Sequence, residues 1–321
     1  KNNIIWINFK FLEKKKYLIS GCAGFIGSHL TKQLYNKYDL ILVDDLSSGK
    51  ITNLPKVLRK KLIKKKLENI KNLKARKLDG IFHLCAQASV PLSINDFYNS
   101  SVNNLNSSLK IFEISKKFKA PVVYASSSAV YGNLPLGNDE KDKFSITSPY
   151  AQDKLTLEHY AKLFFQLFQI PSIGLRLFNV YGPGQSVKNV YASVIPIFIH
   201  NMLCKKKIII NGGYQTRDFI YIKDVVNIMT KCMSSFQRKK KFSIFNLGTG
   251  RSVSIDYLFK IIKSITNSKP VIIKKKLSIY DPKKSSGRFN KISKYLKLRK
   301  YKYIKLEKGL KETVKYFKSL N

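Results

Sequence analysis

The sequence predicts an α/β fold, with a doubly wound parallel sheet of the Rossmann type and a smaller C-terminal α/β lobe. Two observations lead to this prediction. Short apolar segments alternate with amphipathic stretches through the first half of the chain, which is typical of βαβ units with right-handed crossovers. The first apolar segment, Tyr17–Ser20, also runs directly into a glycine-rich turn and the start of a helix.

Residue periodicity predicts the positions of the main elements. Gly80–Cys85 is nearly all apolar, as expected for a strand buried on both faces. A helix over Ser28–Lys37 would place Leu30 and Leu34 on one face. Another helix should begin at Ser148-Pro149, because serine can cap it and proline suits its first position. The other predicted strands are Leu40–Val43, Pro121–Ala125 and Ile173–Leu177, and the other helices are Leu109–Lys119 and Leu306–Phe317.

The composition limits the possible classes of protein. The 321 residues, 44% of them hydrophobic, suffice for a sizeable core. No stretch reaches the roughly 20 apolar residues that span a bilayer, and Lys1–Lys16 lacks the apolar segment of a secretory signal. We therefore expect a cytoplasmic protein without membrane insertion. The spacing of the cysteines and histidines predicts no metal site and no disulfide framework, so the cysteines should be buried free thiols.

The chain is strongly basic, with 60 Lys+Arg against 19 Asp+Glu and a net charge of +41. That balance alone would suggest a nucleic-acid or acidic-membrane partner. The basic residues are mostly lysines, however, and the runs Arg59–Lys66 and Arg238–Lys241 lack the interleaved aromatic and glycine residues of a nucleic-acid platform. We therefore expect solvated lysine-rich faces, no nucleic-acid partner, and a positive field that attracts an anionic pyrophosphate substrate.

Three glycines follow the first predicted strand: Gly21, Gly24 and Gly27, with GxxGxxG spacing. Glycine permits the tight turn, lets the backbone approach a pyrophosphate, and lets the helix pack on the strand. The helix N-terminus offers N–H groups and its positive dipole end to phosphate. Because glycines also occur in ordinary turns, the triplet alone is a weak signal for a dinucleotide site.

Asp44 strengthens that signal because it ends the second predicted strand, 20 residues after Gly24. A carboxylate there can accept hydrogen bonds from the adenosine ribose and repels a 2′-phosphate, which favours NAD over NADP. The alternative is a simple turn residue in Asp44–Gly49. We predict an NAD-binding domain over residues 1–178, to which about 219–248 returns. Residues 179–218 and 249–321 would form the substrate-binding lobe.

Tyr150 and Lys154 lie four residues apart, so they share a face of the capped helix. A nearby ammonium favours the phenolate of a tyrosine and lowers its pKa, so such a Tyr can take a proton from a hydroxyl. Ser126, Ser127 and Ser128 follow a predicted strand and should therefore lie at the carboxyl edge of the sheet, where ligands bind in such folds. One of these serines could relay the proton.

These segments together resemble the extended short-chain dehydrogenase/reductase family, and most closely its nucleotide-sugar 4-epimerases. The resemblance runs from residue 17 to about 255. The matching segments are Gly21–His29, Val43–Gly49, His83–Val90, Ala125–Gly132, Ser148–Lys154, Leu175–Gly184, Gln215–Tyr221 and Phe245–Gly250.

The resemblance implies NAD-dependent epimerisation at C4 of a UDP-hexose or UDP-N-acetylhexosamine through a transient 4-keto sugar, with Tyr150, Lys154 and Ser127 as the catalytic residues. It also implies contacts with the cofactor and with the substrate. The cofactor contacts are Gly21, Gly24, Phe25, Ile26, Gly27, Asp44, Asp45, Ser48, Gly49, Leu84, Ala86, Asn104, Tyr150, Lys154 and Phe178. The substrate contacts are Ser89, Ser126, Ser127, Asn179, Val194, Asn211, Arg217 and Arg288.

Some residues depart from the family pattern. Lys66 stands where the family often has an Asp near the adenine, and Ser107 stands where a helix glycine is usual. The Arg and Asp of the usual uridine pocket have no clear counterparts in residues 280–294. Ser128 and Ala129 stand where related dehydratases and decarboxylases carry acidic side chains, which favours an epimerase.

The remaining alternatives are a nucleotide-sugar 4-reductase, or another oxidoreductase of this fold, and a non-catalytic nucleotide-binding protein. The family further implies a homodimer that packs two helices per subunit, near Asn103–Lys119 and Pro149–Leu167, and a role in polysaccharide biosynthesis.

Overall fold

The computed structural model describes residues 14–187, 193–278 and 281–320. The strands are β1 (Lys16–Ser20), β2 (Asp39–Asp44), β3 (Leu62–Lys64), β4 (Gly80–His83), β5 (Val122–Ser127), β6 (Ser172–Leu177), β7 (Asn179–Tyr181), β8 (Ile208–Asn211), β9 (Thr216–Tyr221), β10 (Ser243–Leu247), β11 (Ser252–Ser254), β12 (Ile272–Lys275) and β13 (Lys284–Ser285). The α-helices are α1 (Phe25–Leu34), α2 (Lys56–Arg59), α3 (Val90–Asn95), α4 (Phe97–Phe118), α5 (Pro149–Phe168), α6 (Val194–Leu203), α7 (Ile222–Ser235), α8 (Ile255–Thr266), α9 (Asn290–Tyr295) and α10 (Leu306–Lys318).

The main sheet is parallel and seven-stranded, in the order β10-β6-β5-β4-β1-β2-β3. The chain builds outward from β1 in one direction and then restarts at β4 on the other side. This reversal opens a crevice at the carboxyl ends of β1 and β4, which is where ligands bind in such sheets. The predicted doubly wound Rossmann-type fold is therefore confirmed.

Both faces of this sheet are buried. Ile19, Leu42 and Phe82 belong to a core that includes residues of α1, α7 and α8, whereas neighbouring strand residues such as Leu18 and Val43 belong to a core with α4 and α5. Successive side chains of a strand point to opposite faces, so an almost continuous apolar strand serves both cores.

A smaller set of strands lies outside the main sheet. β9 pairs with β7, β11 and β13, and β8 pairs with β12. After β9 the chain passes through α7 and then adds β10 to the main sheet beside β6. The division into domains at residues 178, 219 and 248 stays a prediction.

Several element boundaries differ from those predicted. β3, a short edge strand, was missed because it lies in a lysine run with little apolar pattern. α4 begins twelve residues before the predicted Leu109, because its first half buries small polar residues such as Ser100 and Asn104 rather than aliphatic ones. α1 begins at Phe25 instead of Ser28. β5 includes Ser126 and Ser127, which were expected to follow it.

Two compositional expectations can be compared with the structure. Within the three described ranges, no helix is both long and apolar enough to cross a bilayer. The cysteines are free thiols, but only Cys22 and Cys232 are fully buried, whereas Cys85 and Cys204 are partly exposed. The interpretation of Lys1–Lys16 falls mostly outside the described residues.

Candidate active site

The glycine loop leaves no room for side chains at two positions. Gly21 has a φ of +71°, which favours glycine, and a Cβ there would lie 2.7 Å from the carbonyl carbon of Leu84. A Cβ on Gly27 would lie 1.9 Å from the carbonyl oxygen of Gly21. The start of α1 therefore packs directly against the turn, and the turn packs against the loop after β4 that contains Leu84 and Ala86.

The N-terminus of α1 carries no capping side chain. Its N-cap residue is Gly24, and Phe25 and Ile26 form the first turn. The N–H groups of such a helix end, together with the positive end of its dipole, suit a phosphate. The residues present therefore fit the pyrophosphate of a dinucleotide.

Asp44 ends β2 and its carboxylate organises the neighbouring loops. Its oxygens accept hydrogen bonds from the backbone N–H groups of Ala23 and Leu46, each at 2.8 Å. Burial raises its pKa, and these hydrogen bonds oppose that effect. A carboxylate can accept further bonds, so Asp44 keeps capacity for a ribose hydroxyl.

The loop after Asp44 folds back against the glycine turn. Asp45 accepts a bond from the N–H of Ser47 at 2.9 Å, and a Cβ on Gly49 would lie 2.7 Å from the carbonyl carbon of Ala23. Ser48, between them, is exposed. The predicted cofactor residues Asp45, Ser48 and Gly49 thus lie beside the glycine turn.

The three predicted catalytic residues come together at the carboxyl edge of the sheet. Ser127 ends β5, and its hydroxyl hydrogen-bonds with the side chain of Tyr150 in the first turn of α5. Lys154 donates through Nζ to the carbonyl of Ala125 at 2.9 Å, and its Nζ lies 5.8 Å from the centre of the Tyr150 ring. The helix start is fixed as predicted, since the Ser148 side chain accepts from the N–H of Ala151 at 3.2 Å.

The electrostatics of this trio differ from the sequence-based expectation. Burial raises the pKa of Tyr150; the hydrogen bond with Ser127 lowers it only in part, and the Asp153 carboxylate raises it further. Burial lowers the pKa of Lys154 to about 8, against the opposing effects of Asp153, Cys85 and Glu158. Loss of solvation therefore dominates, so the net shift in the pKa of Tyr150 is upward, and the lowering effect expected of Lys154 stays a prediction.

Four predicted substrate residues line one cavity of about 360 Å³ in the smaller lobe: Asn179, Val194, Asn211 and Arg217. Apolar side chains such as Ile195, Phe198 and Phe219 line the same cavity. Arg217 is 8% exposed and forms an ion pair with Asp281. Sequence reasoning missed Asp281, because the surrounding lysine-rich segment has no pattern that fixes its register.

Two other predicted substrate residues lie elsewhere. The Ser126 hydroxyl is buried and donates to Glu158 at 2.5 Å, because Ser126 shares the strand face of Tyr124, which packs towards α5. Arg288 lines a separate cavity of about 330 Å³. It is held there because its backbone N–H donates to the Gly137 carbonyl and its carbonyl accepts from the Asn246 side chain. These placements do not support the sugar contact of Ser126 or the substrate contact of Arg288.

Three further predicted residues have partners within the protein. The Ser89 side chain caps α3 by accepting from the N–H of Leu92 at 3.2 Å. Asn104 bridges Gln87 and Asp153. Phe178 is buried with its ring centre 5.2 Å from that of Phe289. Their contacts with cofactor or substrate stay predictions.

The fold and the site together define a class: an enzyme that binds a dinucleotide at its glycine loop and holds a Ser–Tyr–Lys group, with the Tyr and Lys buried, at the carboxyl edge of the same sheet. The comparison with protein families agrees. The model of the NAD dependent epimerase/dehydratase family matches residues 17–248, and the chain belongs to this family. NAD as the predicted cofactor is thereby confirmed.

Similar proteins carry related but mixed names. A putative UDP-glucose 4-epimerase from Methanocaldococcus jannaschii is 35% identical, over 95% of this chain and 99% of that protein. A UDP-N-acetyl-alpha-D-glucosaminuronate decarboxylase from Bacillus cytotoxicus is 30% identical, over 96% and 99%. The solved UDP-N-acetylglucosamine 4-epimerase from Methanobrevibacter ruminantium, in complex with UDP-N-acetylmuramic acid, is 35% identical, with a TM-score of 0.88 over 97% of this chain and 100% of that one.

Proposed function

We propose that this protein is a 4-epimerase of UDP-linked sugars, which inverts C4 of a UDP-hexose or UDP-N-acetylhexosamine while NAD stays bound. The observation that carries the proposal is the Ser127–Tyr150–Lys154 group, in which Tyr150 and Lys154 are buried, on the same sheet as a glycine loop that fits a dinucleotide. The names of the relatives from M. jannaschii and M. ruminantium support the C4 chemistry and the UDP group.

Tyr150 acts as the base in this mechanism, and Ser127 transmits the proton. As a phenolate, Tyr150 takes the proton of the Ser127 hydroxyl while that hydroxyl takes the proton of the sugar 4-hydroxyl. NAD held there would supply a hydride acceptor for C4 that can return the hydride, and its cationic ring would favour the phenolate. Lys154, fixed by the Ala125 carbonyl, presents an ammonium that stabilises the same phenolate and can donate to a ribose. Tyr150 returns the proton when the 4-keto sugar is reduced on its other face.

The cavity of Arg217 is the proposed site for the nucleotide part of the substrate. The Arg217 guanidinium suits a diphosphate, because it offers several charged donors in a planar fork. Apolar side chains, including Phe198 and Phe219, provide a surface for a flat base. A large excess of lysines gives the protein a positive field that favours such an anion.

The residues after Ser127 argue against elimination of water. Ser128 and Ala129 begin a short 3-10 helix there, and the carboxylate that faces this strand end, Glu158, is bound to Arg176. Ser128 and Ala129 carry no carboxyl group, and the Glu158 carboxylate is already bound. None of these three residues can therefore act as the acid or the base that an elimination at C5 and C6 needs. This favours epimerisation over the dehydratase and decarboxylase activities named among the relatives.

We further propose that the protein is a homodimer formed through α4 and α5. These helices pack against each other, and their outer faces expose Leu109, Leu163 and Leu167. Burying such side chains against a second copy would remove apolar surface from water. Light scattering on wild type and on Leu163→Lys should give a dimer and a monomer, respectively; a monomeric wild type would contradict the proposal.

Interconversion assays test the proposed activity. Purified protein would be incubated with UDP-glucose, UDP-galactose and their N-acetyl forms without added NAD, beside Tyr150→Phe. We expect at least one pair to interconvert and Tyr150→Phe to be slower by about 10²–10⁴-fold. Consumption of added NADH with a 4-keto sugar, without interconversion, would assign the protein as a reductase instead.

A further inference from the structure

A buried carboxylate that the proposed chemistry does not use lies in the first turns of α5. Asp153 is 4% exposed, immediately precedes Lys154 and follows Tyr150 by three residues. On a helix, residues three apart are neighbours, so Asp153 lies beside the turn that presents Tyr150. A buried carboxylate is costly without hydrogen bonds, so its partner identifies what it holds.

The partner is Asn104 of α4, which in turn holds the loop after β4. The Asn104 side chain donates through Nδ2 to Asp153 at 2.9 Å and to the Gln87 carbonyl at 3.2 Å. Its Oδ1 accepts from the Gln87 N–H at 2.8 Å. Asp153, Asn104 and Gln87 therefore form a clamp that joins α5, α4 and the loop that carries the predicted cofactor contacts Leu84 and Ala86.

We propose that Asp153 is a positioning residue for the cofactor: through Asn104 it fixes the turn of Tyr150 and Lys154 against the loop after β4. The role in turnover rests on the proposed function, whereas the role in cofactor binding does not. Because Asp153 and Lys154 are adjacent in the chain, any shift of the clamp also moves the Lys154 ammonium.

Besides its hydrogen bond in the clamp, Asp153 carries a charge that acts on the Lys154 ammonium. The titratable groups that interact with Lys154 are Asp153, Glu158 and Tyr150 of α5, His83 at the end of β4 and Cys85 just after it. The Ala125 carbonyl of β5 accepts from its Nζ. Burial works against the ammonium of Lys154 and lowers its pKa to about 8. The pKa of His83 is lowered to about 3, by burial first and by the Lys154 charge second, so this neighbour stays neutral.

Asp153 is the strongest of the charges that favour this ammonium. The other nearby carboxylate, Glu158, already binds Arg176 through two hydrogen bonds. Asp153 binds only a neutral amide in the clamp, so its charge is left to act on Lys154.

Two substitutions separate the clamp from the charge. Asp153→Asn keeps an oxygen that can accept from Asn104 but removes the charge, whereas Asp153→Ala removes both. Asp142→Asn makes the same chemical change at an exposed position in the loop before α5 and is the matched control. Binding of NADH, followed by the fluorescence of its reduced ring across pH 6–10, is measured alongside turnover.

NADH affinity should be lost at high pH, where Lys154 loses its charge. In Asp153→Asn this loss should occur at a pH lower by roughly one unit, because a neighbouring opposite charge changes the pKa of a group by about that much or more. Asp153→Ala should show the same shift and also bind NADH more weakly at every pH. Asp142→Asn should match wild type. An unshifted profile for Asp153→Asn, or wild-type NADH affinity in Asp153→Ala, would overturn the proposal. Shifted NADH profiles without epimerisation would refute the proposed function alone.

Discussion

The buried ion pair between Glu158 and Arg176 offers the sharpest test of how the catalytic edge of the sheet is stabilised. The Arg176 guanidinium donates to Glu158 through Nε at 2.8 Å and Nη2 at 2.6 Å, and both side chains are 4% exposed. Ser126 donates to the same carboxylate. Nη1 of Arg176 continues to the Tyr131 hydroxyl at 2.7 Å. The pair thus joins β5, α5 and β6 behind Ser127.

Glu158→Gln should destabilise the fold strongly. The amide keeps one acceptor, but it places an NH2 group where a second oxygen accepted a bond, and it leaves the Arg176 charge buried without its counter-charge. Breaking a buried pair in this way costs about 3–5 kcal/mol. Unfolding entropy of ~2.1 cal/mol/K per residue, over 321 residues, converts this to a decrease in Tm of roughly 4–8 °C.

Thermal and urea unfolding measure this effect, with Glu113→Gln as the matched control. Glu113 pairs with Lys110 at 2.7 Å but is 69% exposed, so its loss should cost only about 0–1 kcal/mol. The double variant Glu158→Gln, Arg176→Met should be more stable than the sum of the two single changes predicts, because no unpaired charge remains. A Tm for Glu158→Gln no lower than that of Glu113→Gln would show that the buried pair does not stabilise this edge of the sheet.

Two further predictions concern the glycine loop and a buried histidine. Gly27→Ala should abolish NADH binding, since its Cβ would lie 1.9 Å from the Gly21 carbonyl oxygen. Gly24→Ala should weaken binding less, because its Cβ would lie 3.3 Å from that oxygen. Fluorescence titration compares the two variants, and equal NADH affinities would contradict the packing argument. Burial lowers the pKa of His83 from 6.5 to about 3, so below pH 6.5 the unfolded chain binds a proton that the folded protein excludes. Stability should therefore fall by about 2 kcal/mol between pH 8 and pH 5, and urea unfolding of His83→Asn should show a smaller fall.

The sequence predicted the parts of the site that depend on backbone geometry. The glycine spacing, the acidic residue at the end of β2 and the Ser148-Pro149 helix start each have a local physical requirement, and the structure contains all three. The pairing of Tyr150 with Lys154 follows from helix periodicity in the same way.

Contacts between distant segments could not be predicted in this way. Ser126 and Ser127 are adjacent in the chain, and only the register of β5 decides which one turns towards Glu158. The ion pair of Arg217 with Asp281 and the placement of Arg288 depend on how β13 pairs with β9. β3 was missed because three residues in a lysine run carry too little pattern.

The most direct test of the proposed 4-epimerase is the fate of the C4 hydrogen during turnover in D2O, followed by proton NMR with wild type and Tyr150→Phe. The interconverting UDP-sugar should keep protium at C4, because the hydrogen removed from that carbon returns to it, and Tyr150→Phe should convert little sugar. Deuterium at C4, C5 or C6 of the product, or undiminished turnover by Tyr150→Phe, would contradict it.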